Sequence, residues 1–76
     1  MRADLLAYRR HFGDQLRHLR HRAGLTQEAL AERAGLDKQA VSLIENARQV
    51  PGLDTVWHLA RGLDLTVSEL TAENQT

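Results

Sequence analysis

The sequence predicts an all-α fold: one compact domain of five short helices, the second and third joined by a tight turn. Three observations lead there. Gly24, Gly35, Pro51-Gly52 and Gly62 punctuate the chain at helix-length intervals. Between them, apolar residues recur in steps of three and four. β-branched residues are few, and no stretch shows the sustained alternation of a half-buried strand.

The elements follow in order. Leu5, Tyr8, Phe12, Leu16 and Leu19 form one helical stripe, with Asp4 as the expected N-cap and Gly24 as the stop. Gly13 interrupts that stripe, so the residues before it form either a separate turn or an extension over 3–11. Thr26 caps a second helix whose core face is Leu30, Ala31 and Ala34, and which ends at Gly35. Asp37 is the expected cap of a third helix, with Val41 and Ile44 facing inward. A fourth follows Pro51-Gly52 with Val56, Leu59, Ala60 and Leu63, and Gly62 is its expected stop. The fifth opens on Thr66-Val67-Ser68-Glu69, a capping box. The core thus spans about 12–70 of a single domain over 1–76, and the polar stretch 71–76 is expected to fray.

Composition excludes several classes. With 76 residues and no cysteine, disulfides and thiolate metal sites are out, which fits a cytoplasmic protein. No apolar run approaches the roughly 18 residues of a membrane span, and no apolar segment after Arg2 and Asp4 suggests a signal peptide. Ten Lys and Arg balance ten Asp and Glu. The charges are segregated, however. Arg9, Arg10, Arg17, Arg20 and Arg22 are accompanied only by Asp14, whereas Asp54, Asp64, Glu69 and Glu73 are accompanied only by Arg61. A polarised neutral domain can present one basic face to phosphates; the competing reading is a solvated helix face.

His11, His18 and His21 lie at helical spacing, but no cysteine is available to complete a typical zinc set, so neither a metal nor a cofactor is expected. There is no glycine-rich phosphate loop and no nucleophile elbow, and Ser42 and His58 share no spacing logic. The chain is therefore not expected to be an enzyme.

Two short helices joined by a glycine-containing turn make a helix-turn-helix signature. The ordered string Gly24-Leu25-Thr26-Gln27-Glu28-Ala29-Leu30-Ala31, Ala34-Gly35-Leu36, Val41-Ser42-Leu43-Ile44-Glu45-Asn46, then Pro51 and Leu53, resembles the Xre/Cro type of lambda-repressor-like helix-turn-helix domain from about Phe12 to Leu70. That resemblance implies a five-helix DNA-binding domain whose second and third helices form the reading unit.

It also implies roles. Gln27 corresponds to a residue that contacts the DNA backbone or the first base, at a helix N-terminus whose free N–H groups favour phosphate. Lys38, Gln39, Ser42 and Leu43 fall on the side that enters the major groove. Gln39 suits adenine, and Lys38 suits guanine or a phosphate. Leu43, where the family usually has a polar residue, either meets a thymine methyl or is partly buried. Glu45 is expected to brace the fold through Arg20 or Arg17. Asn46 and Arg48 match backbone-holding positions, with Arg17 and Arg20 as further candidates. Ala47 departs from the usual glycine, so either Asn46 takes the left-handed conformation or the loop is reshaped.

One helix reads few base pairs, so a homodimer on a near-palindromic double-stranded DNA operator is expected, with its interface around Trp57, Leu65 and Val67. The length is similar to that of controller proteins of restriction–modification systems, antitoxins and small phage-type repressors. The rival reading keeps the fold but uses it as a protein-interaction module, an antitoxin for a toxin or a transcription adaptor. Neutral charge and Ala47 lean that way.

Overall fold

The computed structural model describes residues 2–72, which form α1 (Arg2–Arg22), α2 (Gln27–Ala34), α3 (Lys38–Glu45), α4 (Leu53–Gly62) and α5 (Val67–Thr71). The described residues contain no strand. The all-α reading and the pairing of the second and third helices therefore hold. Thr71 is still helical, and residues 73–76, the rest of the expected fraying tail, lie outside the described residues.

Leu16, Leu30, Val41, Ile44, Leu59 and Leu70, drawn from all five helices, are fully buried and form the centre of one apolar core. Phe12, Ala31, Ala34, Ala60 and Leu63 complete it. Burying side chains of this kind contributes about 1.5–3 kcal/mol each and supplies the main driving force for folding.

α1 runs unbroken through Gly13, so the residues before it are an extension and not a separate turn. A Cβ at Gly13 would lie 2.6 Å from the Glu45 carbonyl oxygen and 2.8 Å from that of Ile44. Glycine is present there because the end of α3 crosses against the backbone of α1. The expected stripe of α1 is buried only from Phe12 onward; Leu5 and Tyr8 are half exposed. Asp4 is not the N-cap. It lies within the first turn, where its charge favours the positive end of the helix dipole.

Two helix starts follow side-chain chemistry. Thr26 Oγ1 accepts from the Ala29 N–H at 3.0 Å. At Thr66 both halves of the capping box form: Glu69 N–H donates to Thr66 Oγ1 at 3.0 Å, and Thr66 N–H to Glu69 Oε1 at 2.9 Å. Asp37 occupies the N-cap of α3 with no side-chain capping bond.

The first four helices end alike, each with a left-handed residue and a paired 6→1 and 5→2 backbone closure. Gly24 and Gly35 serve α1 and α2, while Ala47 and Asp64, both at φ 59°, serve α3 and α4. Ala47 itself takes the left-handed conformation, and Asn46 stays at φ −95°. With Leu63 packing from the turn beyond, α4 stops at Gly62, as expected. Gly62 also packs on α2, where an added Cβ would lie 3.1 Å from Leu30 Cδ1. Arg33 of α2 fastens this end: its Nε donates to the Gly62 carbonyl at 2.7 Å and its Nη2 to Asp64 Oδ2 at 3.2 Å.

Candidate nucleic-acid interface

α3 is two-sided. Val41, Ile44 and Glu45 are buried, whereas Lys38, Gln39 and Leu43 project outward, with Leu43 40% exposed. Ser42, on the same side, is half buried. Leu43 stays on the outward row although its side chain is more than half covered. Lys38 Nζ lies 3.2 Å from Glu28 Oε2 on α2, an exposed pair across the turn. Sequence reasoning did not anticipate that pair. The helical step alone does not show how close the first turns of α2 and α3 come.

Beneath the row lies a polar network centred on the Glu45 carboxylate, which is only 2% exposed. Arg20 grips both its oxygens, Nε to Oε2 at 2.6 Å and Nη2 to Oε1 at 3.1 Å. A third Arg20 nitrogen, Nη1, donates to the Leu25 carbonyl at 2.9 Å. Gln27 Nε2 donates to Glu45 Oε1 at 3.1 Å. Burial alone would raise the Glu45 pKa. The hydrogen bonds from Arg20 and Gln27 and the charges of Arg20 and Arg17 outweigh it and hold the carboxyl below its ordinary value.

Arg17 and Asn46 extend the network toward solvent. Arg17 Nη2 donates to the Glu45 carbonyl at 3.1 Å and to Asn46 Oδ1 at 3.2 Å. Its Nη1 lies 3.5 Å from Asp14 Oδ1. Asn46 Nδ2 donates back to the Ser42 carbonyl at 2.9 Å. Arg48 is exposed just beyond, beside Leu43 and Asn46.

This arrangement changes one expectation. Arg20 is 7% exposed and fully engaged with Glu45 and Leu25, so it is a brace and not a candidate for phosphate. Gln27, Arg17, Asn46 and Arg48 remain on the surface around the outward row, half buried or exposed. Gln27 keeps one amide hydrogen and its oxygen free of Glu45.

The expected dimer residues separate. Trp57 is 48% exposed, with the Arg61 guanidinium 5.0 Å from its ring centroid. Leu65 and Val67 are half buried because they pack on their own core. Leu53, one turn before Trp57, is 82% exposed. It stands just after Pro51-Gly52, outside the Val56–Leu59–Leu63 stripe. Among the described residues no group of three or more His, Asp or Glu side chains converges as metal ligands would. No described helix is long and apolar enough to cross a membrane.

Known proteins share this architecture. A family model described as a helix-turn-helix domain matches residues 11–72. An HTH-type transcriptional regulator of Sinorhizobium fredii, y4dJ, is 36% identical over 58 residues, covering 76% of this chain and 75% of its own. The control protein C.MunI of a Mycoplasma species is 35% identical over 63 residues, covering 82% and 85%. The crystal structure of the restriction–modification controller protein C.AhdI of Aeromonas hydrophila superposes with a TM-score of 0.82 at 39% identity, covering 84% of this chain and 97% of that one. An all-helical core, an outward-facing third helix and a match across most of the chain agree: the chain belongs to the Xre-type helix-turn-helix domain family of DNA-binding transcriptional regulators.

Proposed function

We propose that the chain is a sequence-specific, cytoplasmic transcriptional regulator that reads a near-palindromic operator as a homodimer. The observation that carries this is the outward row on α3, opposite a buried Val41–Ile44 face and flanked by positively charged and amide side chains. Lys38, Gln39, Ser42 and Leu43 read base edges, Leu43 through a thymine methyl. Gln27, Arg17, Asn46 and Arg48 hold phosphates and set the register. Lys38 exchanges its pairing with Glu28 for the DNA, an exchange of low cost because exposed ion pairs contribute only about 0–1 kcal/mol.

Two copies place two α3 helices in successive major grooves, about 34 Å apart. The exposed Leu53 and Trp57 on α4 supply an apolar contact that a second copy can cover, with Leu65 and Val67 at its margin.

Selection from a random duplex pool, followed by binding at several salt concentrations, tests the reading. Enrichment of a two-fold symmetric sequence is expected, with log K falling linearly as log salt rises. If no duplex is enriched and binding is flat with salt, the chain is not a DNA reader and the interaction-module reading replaces it.

A further inference from the structure

The family match begins at residue 11, and the turns of α1 before it build a feature of their own. Leu5, Tyr8 and Phe12 of α1, Val50 and Pro51 of the loop between α3 and α4, and Val56 of α4 line an open-sided apolar groove of about 160 Å³. Arg9, Gln49, Thr71 and the Tyr8 phenol are its polar side chains, and no carboxylate is among the lining residues. The Thr71 hydroxyl is engaged, donating to the Val67 carbonyl at 2.8 Å. Arg9 Nε is different: it is buried and has no hydrogen-bond partner among the described residues. A buried cationic donor without an acceptor costs free energy that an incoming acceptor would recover.

Size and charge together define the occupant. An apolar cavity of about 150 Å³ accommodates benzene, so the groove takes one ring or one branched chain. The unmatched guanidinium donor calls for an anionic acceptor, which forms the stronger, charge-assisted bond. We infer that this groove binds a small monocarboxylate with a compact apolar body, the body against Tyr8, Phe12 and Val50 and the carboxylate on Arg9. The inference does not depend on DNA binding.

An amide chemical-shift titration of the DNA-free protein tests it, with benzoate, benzyl alcohol and acetate as probes. Benzoate is expected to give saturable shifts at Tyr8, Phe12, Val50 and Thr71. Benzyl alcohol should bind the same site about tenfold more weakly or worse, for want of the charged bond. Acetate should leave the site unmoved. Arg9→Met keeps an apolar stem and should bring benzoate down to the level of benzyl alcohol. Val50→Trp, in an exposed loop, should fill the groove and remove both ligands. The inference is overturned if benzoate gives no saturable shift there, or if its shifts centre on Arg17, Lys38 and Arg48. Equal binding of benzoate and benzyl alcohol, or benzoate binding unchanged in either variant, would overturn it as well.

Discussion

The helix-turn-helix pair is held from two sides, and the two holds rest on different physics. On one side α2 lies against α4, where Leu30, Ala34, Leu59 and Ala60 share the apolar core and Gly62 lets the helices close. On the other side α3 meets α1 through the buried Arg20–Glu45 pair, with Gly13 admitting the α3 backbone. Apolar burial is non-directional and roughly proportional to area. A buried ion pair is directional, and it stabilises only while every partner is present. The Glu45 carboxylate also receives Gln27 and lies 3.5 Å from Arg17 Nε. The polar hold therefore orients side chains at the proposed DNA face, and the apolar hold only fixes where α2 lies.

The sharpest way to break the comparison is Glu45→Ala. It leaves the Arg20 charge buried and unpaired, which costs about 3–5 kcal/mol. A small domain has about 5–15 kcal/mol in all, so urea unfolding should show a severely weakened or unfolded chain. Replacing both partners, Arg20→Met with Glu45→Leu, should regain most of that stability, because a well-packed apolar pair removes the unpaired charge. The double variant would still lack the acceptor that holds Gln27. Its affinity for a selected duplex should stay low while its fold is restored. Affinity recovering in step with stability would show that the network only supports the fold.

Acid separates the two holds without mutation. Glu45 titrates below its ordinary value of 4.5 in the folded chain. The unfolded chain therefore binds a proton there more readily. The resulting stability is fully present above the unfolded value and is lost as pH falls through the folded one. Melting temperature should decline more steeply below pH 4.5 in the wild type than in Glu45→Gln, which has no charge to lose at that position. Parallel declines would mean that other carboxylates account for acid sensitivity.

Gly13→Ala comes next in size. The new Cβ would meet two backbone carbonyl oxygens at 2.6 and 2.8 Å, and neither can move without shifting α3. Overpacking of this kind costs about 1–3 kcal/mol, offset by roughly 0.5–1 kcal/mol of helix propensity. A fall of several degrees in Tm is expected. No fall would mean that α1 and α3 separate readily.

Ala47→Gly acts in the opposite direction. Ala47 holds a left-handed conformation that costs an L-residue about 1–2 kcal/mol and glycine little. Part of that gain is lost to the freer unfolded chain, so the net stabilisation is about 0.5–1 kcal/mol. It should appear as a higher urea midpoint with an unchanged m-value. Because Arg48 N–H bonds to the Leu43 carbonyl within the same closure, the substitution tests this helix end and leaves both holds intact.

Much of this was legible in the sequence, for identifiable reasons. Apolar spacing located the core because each helix buries one stripe. Thr26, Gly35 and the Thr66–Glu69 box marked boundaries because their chemistry is local. The Arg20–Glu45 brace was readable from the family string. What the sequence concealed was long-range. Gly13 reads as an interruption and Gly62 as a stop; Gly62 does end α4, but only the approach of a neighbouring helix reveals either one as a contact point. Asp64 supplies the left-handed residue beyond α4 because Asp tolerates that region better than most residues, and nothing in the apolar spacing marked it. Arg20 satisfied two descriptions, brace and phosphate contact, and burial decided between them. Trp57 lies exposed on α4, while Leu65 and Val67 are largely occupied with their own core.

Gly62→Ala is the matched counterpart of Gly13→Ala and has the smallest expected effect. Its Cβ would lie 3.1 Å from Leu30 Cδ1, 3.2 Å from Ala34 Cβ and 3.3 Å from Ala34 N. The two nearest neighbours are side-chain carbons, and a leucine terminus can give by a few tenths of an ångström where a carbonyl cannot. The helix gains roughly 0.5–1 kcal/mol from losing a glycine. Crowding and propensity should nearly cancel, leaving Tm within a few degrees of the wild type. Measured beside Gly13→Ala, the same added methyl reports on both holds. A large difference would mean that the apolar side yields and the polar side does not. Equal losses would show that α2 lies as rigidly on α4 as α3 lies on α1, and that the two holds differ in chemistry but not in tolerance.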